Sequence, residues 1–145
     1  MNKNTDLKWR DGSEARLETI LSGATDRSTA SDELADQIED WPTRYHLDRR
    51  RTNLLRPIRL GSGVRLLDAG AGTGMMSRYA AEAGATVIAV EGDAQRAELA
   101  KIRCEGTDVE VRHGTVDAMD DPDGFDVVLA VGVLEYAGRQ PGGSE

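Results

Sequence analysis

The sequence predicts an α/β fold: a Rossmann-like, doubly wound parallel sheet preceded by N-terminal helices. Two observations predict it. Apolar segments of strand length alternate with segments of helical periodicity over residues 64–131, and the first apolar segment runs directly into closely spaced glycines. Strands that alternate with helices form parallel sheets through right-handed crossovers. We therefore expect a sheet of strand order 3-2-1-4, truncated after its fourth strand.

The N-terminal part, residues 1–40, is expected to be a helical and flexible extension. Residues 1–12 are polar and predict a frayed tail. Apolar residues at helical spacing predict a first helix from Ser13 to Gly23, and a second, short helix that stops before Pro42. A basic helix over residues 47–58 is expected to follow, with glycines at its end leading into the first strand.

From residue 64 onward, each change of pattern marks an expected element. The expected segments are a strand at 64–68, a helix at 75–83, a strand at 86–90, a helix at 94–104, a strand at 109–113, a loop at 114–124 and a strand at 125–131. Residues 41–137 are predicted to form one domain. The glycine-rich segment 138–145 predicts a flexible tail.

Composition excludes several classes of function. The chain has 145 residues, which suits one domain, and its net charge of −8 disfavours nucleic-acid binding. We interpret the basic cluster at residues 49–51 as a solvated helix face. The lone Cys104 excludes an internal disulfide and fits a reducing cytoplasm, no Cys and His cluster suggests a metal, and no segment is long enough to span a membrane.

The segment after the first predicted strand carries the functional signal. Asp68 ends the strand, and Gly70, Gly72 and Gly74 alternate after it, so that a carboxylate and free helix N–H groups surround one small pocket. The next strand ends in Glu91, an acid placed to bind a ribose diol. Together these features predict a nucleoside-binding βαβ unit. The alternatives are a purely structural turn and a helix-capping role for Asp68.

Which nucleoside binds depends on the residue after the third glycine. A dinucleotide fingerprint requires a small residue there, and Met75 is too large for close packing on a pyrophosphate. The acid followed by Gly-x-Gly-x-Gly instead resembles motif I of the class I S-adenosylmethionine-dependent methyltransferases. The resemblance implies S-adenosylmethionine as cofactor and methyl transfer to a small molecule or saccharide. An NAD(P)-binding module and a non-catalytic remnant or partner subunit stay open as alternatives.

The resemblance also implies a role for each loop. It assigns the methionine end of the cofactor to the glycine loop, the ribose to Glu91, the adenine to the turn at 115–116 and the methyl side to residues 132–136. The implied cofactor-binding residues are Asp68, Ala69, Gly70, Gly72, Thr73, Gly74, Glu91, Gly92, Thr115, Val116 and Gly132. The family commonly has Asp at the position of Thr115, and Asp117 is a possible substitute. No catalytic base can be named, and we interpret His113 as a core or rim residue.

Residues 41–47 and 51–57 resemble the segment that precedes methyltransferase domains fused to bacterial glycosyltransferases. Tyr45 and His46 either cover the cofactor or pack beneath a helix. The resemblance extends over residues 41–137 and includes the first four strands of a sheet that has seven in this family. We therefore expect an uncovered edge at the fourth strand, where a homodimer partner or a complementing chain would bind.

Overall fold

The computed structural model describes residues 10–134 and contains one parallel sheet. Its strands are β1 (Arg65–Ala69), β2 (Thr86–Glu91), β3 (Val109–His113) and β4 (Val127–Leu129). Their order is β3-β2-β1-β4, and every neighbouring pair is parallel. This confirms the predicted fold class and strand order.

Two helices connect the first three strands. α4 (Met75–Glu82) lies between β1 and β2, and α5 (Ala94–Cys104) lies between β2 and β3. Both agree closely with the predicted segments. A short 3₁₀ turn, Val116–Ala118, is the only helical segment found between β3 and β4 within the described part of the chain.

The N-terminal helices differ from the prediction. α1 (Glu14–Gly23) is present as expected, but α2 (Asp32–Ala35) has four residues, and Trp41 begins α3 (Trp41–Leu47) instead of ending α2. The cause is a capping box: the Asp40 side chain accepts a 2.9 Å bond from the Thr43 N–H, and the Asp40 N–H donates to the Thr43 hydroxyl. Proline in a first turn is compatible with such a start.

The predicted basic helix was also wrong, because the chain breaks at Asp48. This residue is extended, and its carboxylate accepts a 3.0 Å bond from the Arg50 N–H at the start of a 3₁₀ helix, Arg49–Leu55. Leu55 is buried, but the side chain of Leu54 is 60% exposed. The leucine spacing that suggested one continuous helix therefore belongs to two segments.

The central strands β1 and β2 bury side chains on both faces of the sheet. On one face, Leu66 and Val87 pack with α4 residues such as Ala80 in one core cluster. On the other, Leu67 and Ile88 form a smaller cluster covered by Met119 and Phe125 from the β3–β4 connection. The adjacent residues point to opposite faces, as the strand period requires.

The N-terminal extension packs on the same domain. Leu17 and Leu21 of α1 share a core cluster with Leu99 of α5. Arg10 forms a 2.8 Å ion pair with Asp93, whose side chain is fully buried. Residues 10–12 are exposed, but Arg10 bonds Asp93 and Asp11 bonds His46, so the predicted frayed tail was wrong for them. Residues 1–9 and the predicted tail at 138–145 lie outside the described residues. Among residues 10–134, no helix has the length and apolarity needed to cross a bilayer.

Candidate functional site

A cleft of about 540 Å³ lies at the carboxyl ends of the strands, beside the loops that follow β1 and β4. The chain reverses its winding direction between these two strands, and ligands of open α/β sheets bind at such a point. The volume is typical of a small-molecule site. Seven of the predicted cofactor-binding residues line it: Asp68, Gly70, Gly72, Thr73, Glu91, Gly92 and Gly132.

The glycine loop forms one wall of the cleft. Gly70 has φ +79, and its N–H donates a 2.8 Å bond to the Val90 carbonyl at the end of β2. A Cβ atom on Gly70 would overlap the Val133 side chain. The absence of a side chain thus lets the loop approach the segment after β4.

Two other residues of the predicted set face away from the cleft. Ala69 ends β1 inside the sheet, and Gly74 packs between α4 and α5. A Cβ atom on Gly74 would lie 3.1 Å from Ala100 Cα and 3.1 Å from Cys104 Sγ. Gly74 therefore allows close packing of the helices, which is the role that the dinucleotide fingerprint gives to its third small residue.

Asp68 lies at the bottom of the cleft and is almost completely buried. Its Oδ2 atom accepts a 2.6 Å bond from the Ser77 hydroxyl in α4. Burial, together with the charge of Glu91, raises the pKa of Asp68 to about 6, although the Ser77 hydrogen bond acts in the opposite direction. Asp68 thus faces the cleft and also bonds a hydroxyl in the first turn of α4; the N-cap of that helix is Gly74, and it has no side-chain cap bond.

Glu91 ends β2, lines the cleft and bonds the glycine loop. Its Oε2 accepts a 2.7 Å bond from the Gly72 N–H, and its Oε1 accepts a 2.9 Å bond from the Asp93 N–H. Burial raises the pKa of Glu91, and these two N–H donors oppose the shift. Each carboxylate oxygen has a second lone pair, so Glu91 can still accept hydrogen bonds from a ligand.

A buried histidine adds a contact that the sequence did not predict. The Nε2 atom of His46 lies 3.0 Å from Asp11 Oδ2, and its Nδ1 atom lies 3.2 Å from Thr73 Oγ1. Burial lowers the pKa of His46, and Arg96 and Arg51 lower it further, against the influence of Asp11. Asp11, His46 and Thr73 all line the cleft.

Aromatic side chains lie at the cleft as well. The Trp41 and Tyr45 rings stack at 5.2 Å, the Arg51 guanidinium lies 3.8 Å from the Tyr45 ring centroid, and the Tyr45 ring meets His46 edge-on. Trp41 is 68% exposed. Tyr45 and His46 therefore fit both sequence interpretations, because they pack beside a helix and also line the cleft.

The predicted adenine contacts lie elsewhere. Thr115 precedes the 3₁₀ turn, Val116 is exposed, and neither lines the cleft. His113 Nε2 lies 3.2 Å from the Gly92 carbonyl, which places this histidine at the rim as expected. Of the expected methyl side, residues 132–134 are described, whereas residues 135 and 136 lie outside the described part of the chain.

Comparison with known proteins identifies the family. The family model described as "Methyltransferase domain" matches residues 66–141. The ubiquinone biosynthesis O-methyltransferase of Brucella ovis is 38% identical over 90 residues, which cover 60% of this chain and 35% of that protein. The enzyme of the same name from Rhodopseudomonas palustris strain BisB18 is 36% identical over 77 residues, or 52% of this chain and 30% of that protein. The chain thus spans about a third of the length of these curated relatives.

A solved structure supports the fold independently. The crystal structure of YjhP from E. coli aligns with a TM-score of 0.51 at 24% identity and covers 85% of this chain and 46% of that protein. The sheet order and the glycine loop after β1 agree with the family match. Since the family model matches more than half of the chain, the chain belongs to the methyltransferase domain family, as a class I S-adenosylmethionine-dependent member.

Proposed function

We propose that this chain is the cofactor-binding part of a methyltransferase that methylates an oxygen atom of a small molecule. The curated relatives are O-methyltransferases of ubiquinone biosynthesis, which favours a small-molecule acceptor over a saccharide. These relatives are matched over about a third of their length, so the acceptor and the full activity are part of the proposal.

The observation that carries the proposal is the presence of Asp68 and Glu91 in one cleft beside the glycine loop. Burial raises the pKa of both carboxylates, and their charges repel each other. A cationic ligand relieves this repulsion, whereas an anionic one increases it. S-adenosylmethionine carries a net positive charge, because its sulfonium is cationic and its amino-acid end is zwitterionic, and the cleft has the volume of a small-molecule site.

Each side of the cleft has a proposed role. Glu91 accepts the ribose hydroxyls through its remaining lone pairs. The glycine loop with Thr73 contacts the methionine end, and Gly132 borders the methyl side. Thr115 and Val116 stay the proposed border of the adenine, although neither lines the cleft in this structure.

Bound S-adenosylmethionine supplies an electrophilic methyl group for in-line displacement. The chain's own residues then have to orient the acceptor and exclude water. Trp41 presents an exposed indole face beside the cleft, and Tyr45 supports it by stacking. An aromatic face of this kind suits a planar acceptor.

The main alternative is NAD(P) binding. It places a pyrophosphate next to two buried carboxylates, and the Gly72 N–H already donates to Glu91. Both features disfavour an anionic ligand. A second alternative is a non-catalytic partner subunit, which is favoured by the outer edge of β4, since no other strand within residues 10–134 covers it. A homodimer partner or a complementing chain is the proposed occupant of that edge, and the reduced Cys104 suits a cytoplasmic location.

Calorimetry on the full chain tests the proposal. We expect S-adenosylhomocysteine to bind and NADH not to bind under the same conditions. Binding of NADH without binding of S-adenosylhomocysteine would replace the proposal with the dinucleotide alternative. If neither ligand binds, the non-catalytic interpretation is favoured.

A further inference from the structure

The Thr73 hydroxyl lies between the cleft and a buried imidazole. Thr73 lines the cleft within the glycine loop, and its Oγ1 atom is 3.2 Å from Nδ1 of His46. On the other side of the ring, Nε2 lies 3.0 Å from the Asp11 carboxylate. Three side chains from separate parts of the sequence thus form one chain of hydrogen bonds.

The charges around the ring fix the positions of its protons. Hydrogen bonds from Ser13 and His46 lower the pKa of Asp11 to about 2, although burial opposes the shift, so Asp11 accepts the bond from Nε2–H. Burial lowers the pKa of His46, and the positive charges of Arg96 and Arg51 lower it further, so the charged imidazolium is disfavoured. The neutral ring therefore has its free lone pair at Nδ1, which accepts the bond from the Thr73 hydroxyl.

The direction of this bond determines what Thr73 offers to a ligand. Once its single proton is donated to His46, the Thr73 hydroxyl can act toward the cleft only as an acceptor. The amino-acid end of the cofactor has an ammonium donor and a carboxylate acceptor. An oxygen that can only accept is complementary to the ammonium.

We propose that Thr73 accepts a hydrogen bond from the α-ammonium of the cofactor, and that Asp11 and His46 are positioning residues that fix the direction of the Thr73 hydroxyl. This inference rests on the proposed function and adds the determinant for the amino-acid end. A protonated His46 would donate from Nδ1 to Thr73, and the hydroxyl proton would then face the ammonium.

The test compares two ligands that differ only in the ammonium. S-Adenosylhomocysteine has it, and the deaminated analogue, which has 4-thiobutyrate in place of homocysteine, does not. Both are titrated by calorimetry into the wild type, Thr73→Val and Thr19→Val. The last is a matched control, because the Thr19 hydroxyl bonds the Ala15 carbonyl on the exposed face of α1.

We expect Thr73→Val to weaken binding of S-adenosylhomocysteine by about 10-fold, the usual effect of a lost bond to a charged group, and to leave binding of the analogue unchanged. Asp11→Ala, which removes the acceptor of the His46 Nε2–H bond, should show the same selectivity. Thr19→Val should bind both ligands as the wild type does. Thermal melting of each variant by circular dichroism establishes that it is folded.

A pH series separates this role from a structural one. Asp68 and Glu91 also titrate, so the quantity measured is the difference between wild type and Thr73→Val, in which their contributions cancel. The difference in affinity for S-adenosylhomocysteine between wild type and Thr73→Val should disappear at acid pH, because His46 becomes protonated there. Equal weakening of both ligands by Thr73→Val, or a difference that does not change with pH, overturns the inference while leaving cofactor binding intact. Failure of the wild type to bind either ligand overturns the proposed function itself, and the inference with it.

Discussion

Glu91 accepts a 2.7 Å hydrogen bond from the Gly72 N–H, so a side chain at the end of β2 holds the glycine loop that follows β1. Glu91→Gln keeps the size of the side chain and removes its charge. We expect the affinity for S-adenosylhomocysteine to fall by about 10-fold, because bonds from ribose hydroxyls to a charged acceptor are stronger than those to an amide. Isothermal calorimetry measures the change.

Glu110→Gln is the control for that experiment. Glu110 lies on β3, and its exposed carboxylate pairs with Arg112 at 2.7 Å. This substitution should leave the affinity unchanged. An affinity of Glu91→Gln equal to that of the wild type would remove Glu91 from the proposed ribose contact.

Asp68 makes the stability of the protein depend on pH. Its pKa is about 6 in the folded protein and 3.8 ordinarily, so the folded state holds a proton that the unfolded state releases over this interval. Stability is therefore lost as the pH rises from about 4 to about 6 and does not return above it. In Asp68→Asn this loss should be absent, which gives a gain on the order of 1–3 kcal/mol at neutral pH and none near pH 4.

Urea denaturation of both proteins at several pH values measures this difference. The protonation of His46 also changes stability in the acid range, with the opposite sign, because its pKa is lowered. That contribution is common to the two proteins and cancels in the comparison. If the wild type is as stable as Asp68→Asn at neutral pH, the charged Asp68 does not destabilise the folded protein and the prediction is wrong.

Local sequence signals predicted the limits of a helix or strand correctly where the residues that begin and end it lie within or next to it. α5 was predicted with both ends correct, and its start is determined by Asp93, which accepts bonds of 2.9 and 3.1 Å from the N–H groups of Gln95 and Arg96. β4 was predicted too long, since a mostly apolar segment does not show that only Val127–Leu129 pairs with β1. Hydrophobic pattern indicates burial better than it indicates pairing.

The site was predictable only where its contacts follow from the order of the strands. Asp68 is the last residue but one of β1, and Glu91 ends the adjacent parallel strand β2, so their proximity follows from topology. The contact of His46 with Asp11 joins residues 35 positions apart and depends on how the N-terminal segment folds over the cleft. A polar dipeptide near the N-terminus gives no signal for this, and Asp11 was therefore assigned to a frayed tail.

Gly74 is expected to be sensitive to substitution for reasons of packing. In Gly74→Ala the new Cβ would lie 3.1 Å from Ala100 and Cys104, and the backbone has φ +83. We expect a loss of stability of about 2–4 kcal/mol, because the helices have to move apart and the backbone is strained. Gly106→Ala is the control: its φ is +76, but no atom lies within 4 Å of the new Cβ. It should cost about 1–2 kcal/mol by urea denaturation, and an equal cost for the two variants would exclude the packing role.

The reactivity of Cys104 tests the same packing of Gly74 between α4 and α5. It is the single cysteine of the chain, and its thiol is buried and lies 3.5 Å from the Gly74 carbonyl. Burial raises the pKa of Cys104 to about 12, so the reactive thiolate is scarce at neutral pH. We expect iodoacetamide to modify the native protein at least 100-fold more slowly than the urea-unfolded protein, as followed by mass spectrometry. Comparable rates would mean that α4 and α5 separate readily.

The outer edge of β4 predicts self-association. β4 pairs with β1 on one side, and no other strand within residues 10–134 covers its second side. Val128 projects from the sheet face that also carries Leu67, its partner in the β1–β4 register, and it is 60% exposed. An uncovered strand edge pairs readily with another chain, and a charged side chain suppresses such pairing. We expect the wild type to show a concentration-dependent dimer in sedimentation velocity and Val128→Lys to shift it toward the monomer.

Leu54→Lys is a matched control, because Leu54 is also 60% exposed but lies on the 3₁₀ helix rather than on the sheet. If Leu54→Lys dissociates the dimer as effectively as Val128→Lys, the association occurs through another surface and the β4 edge is not the docking site.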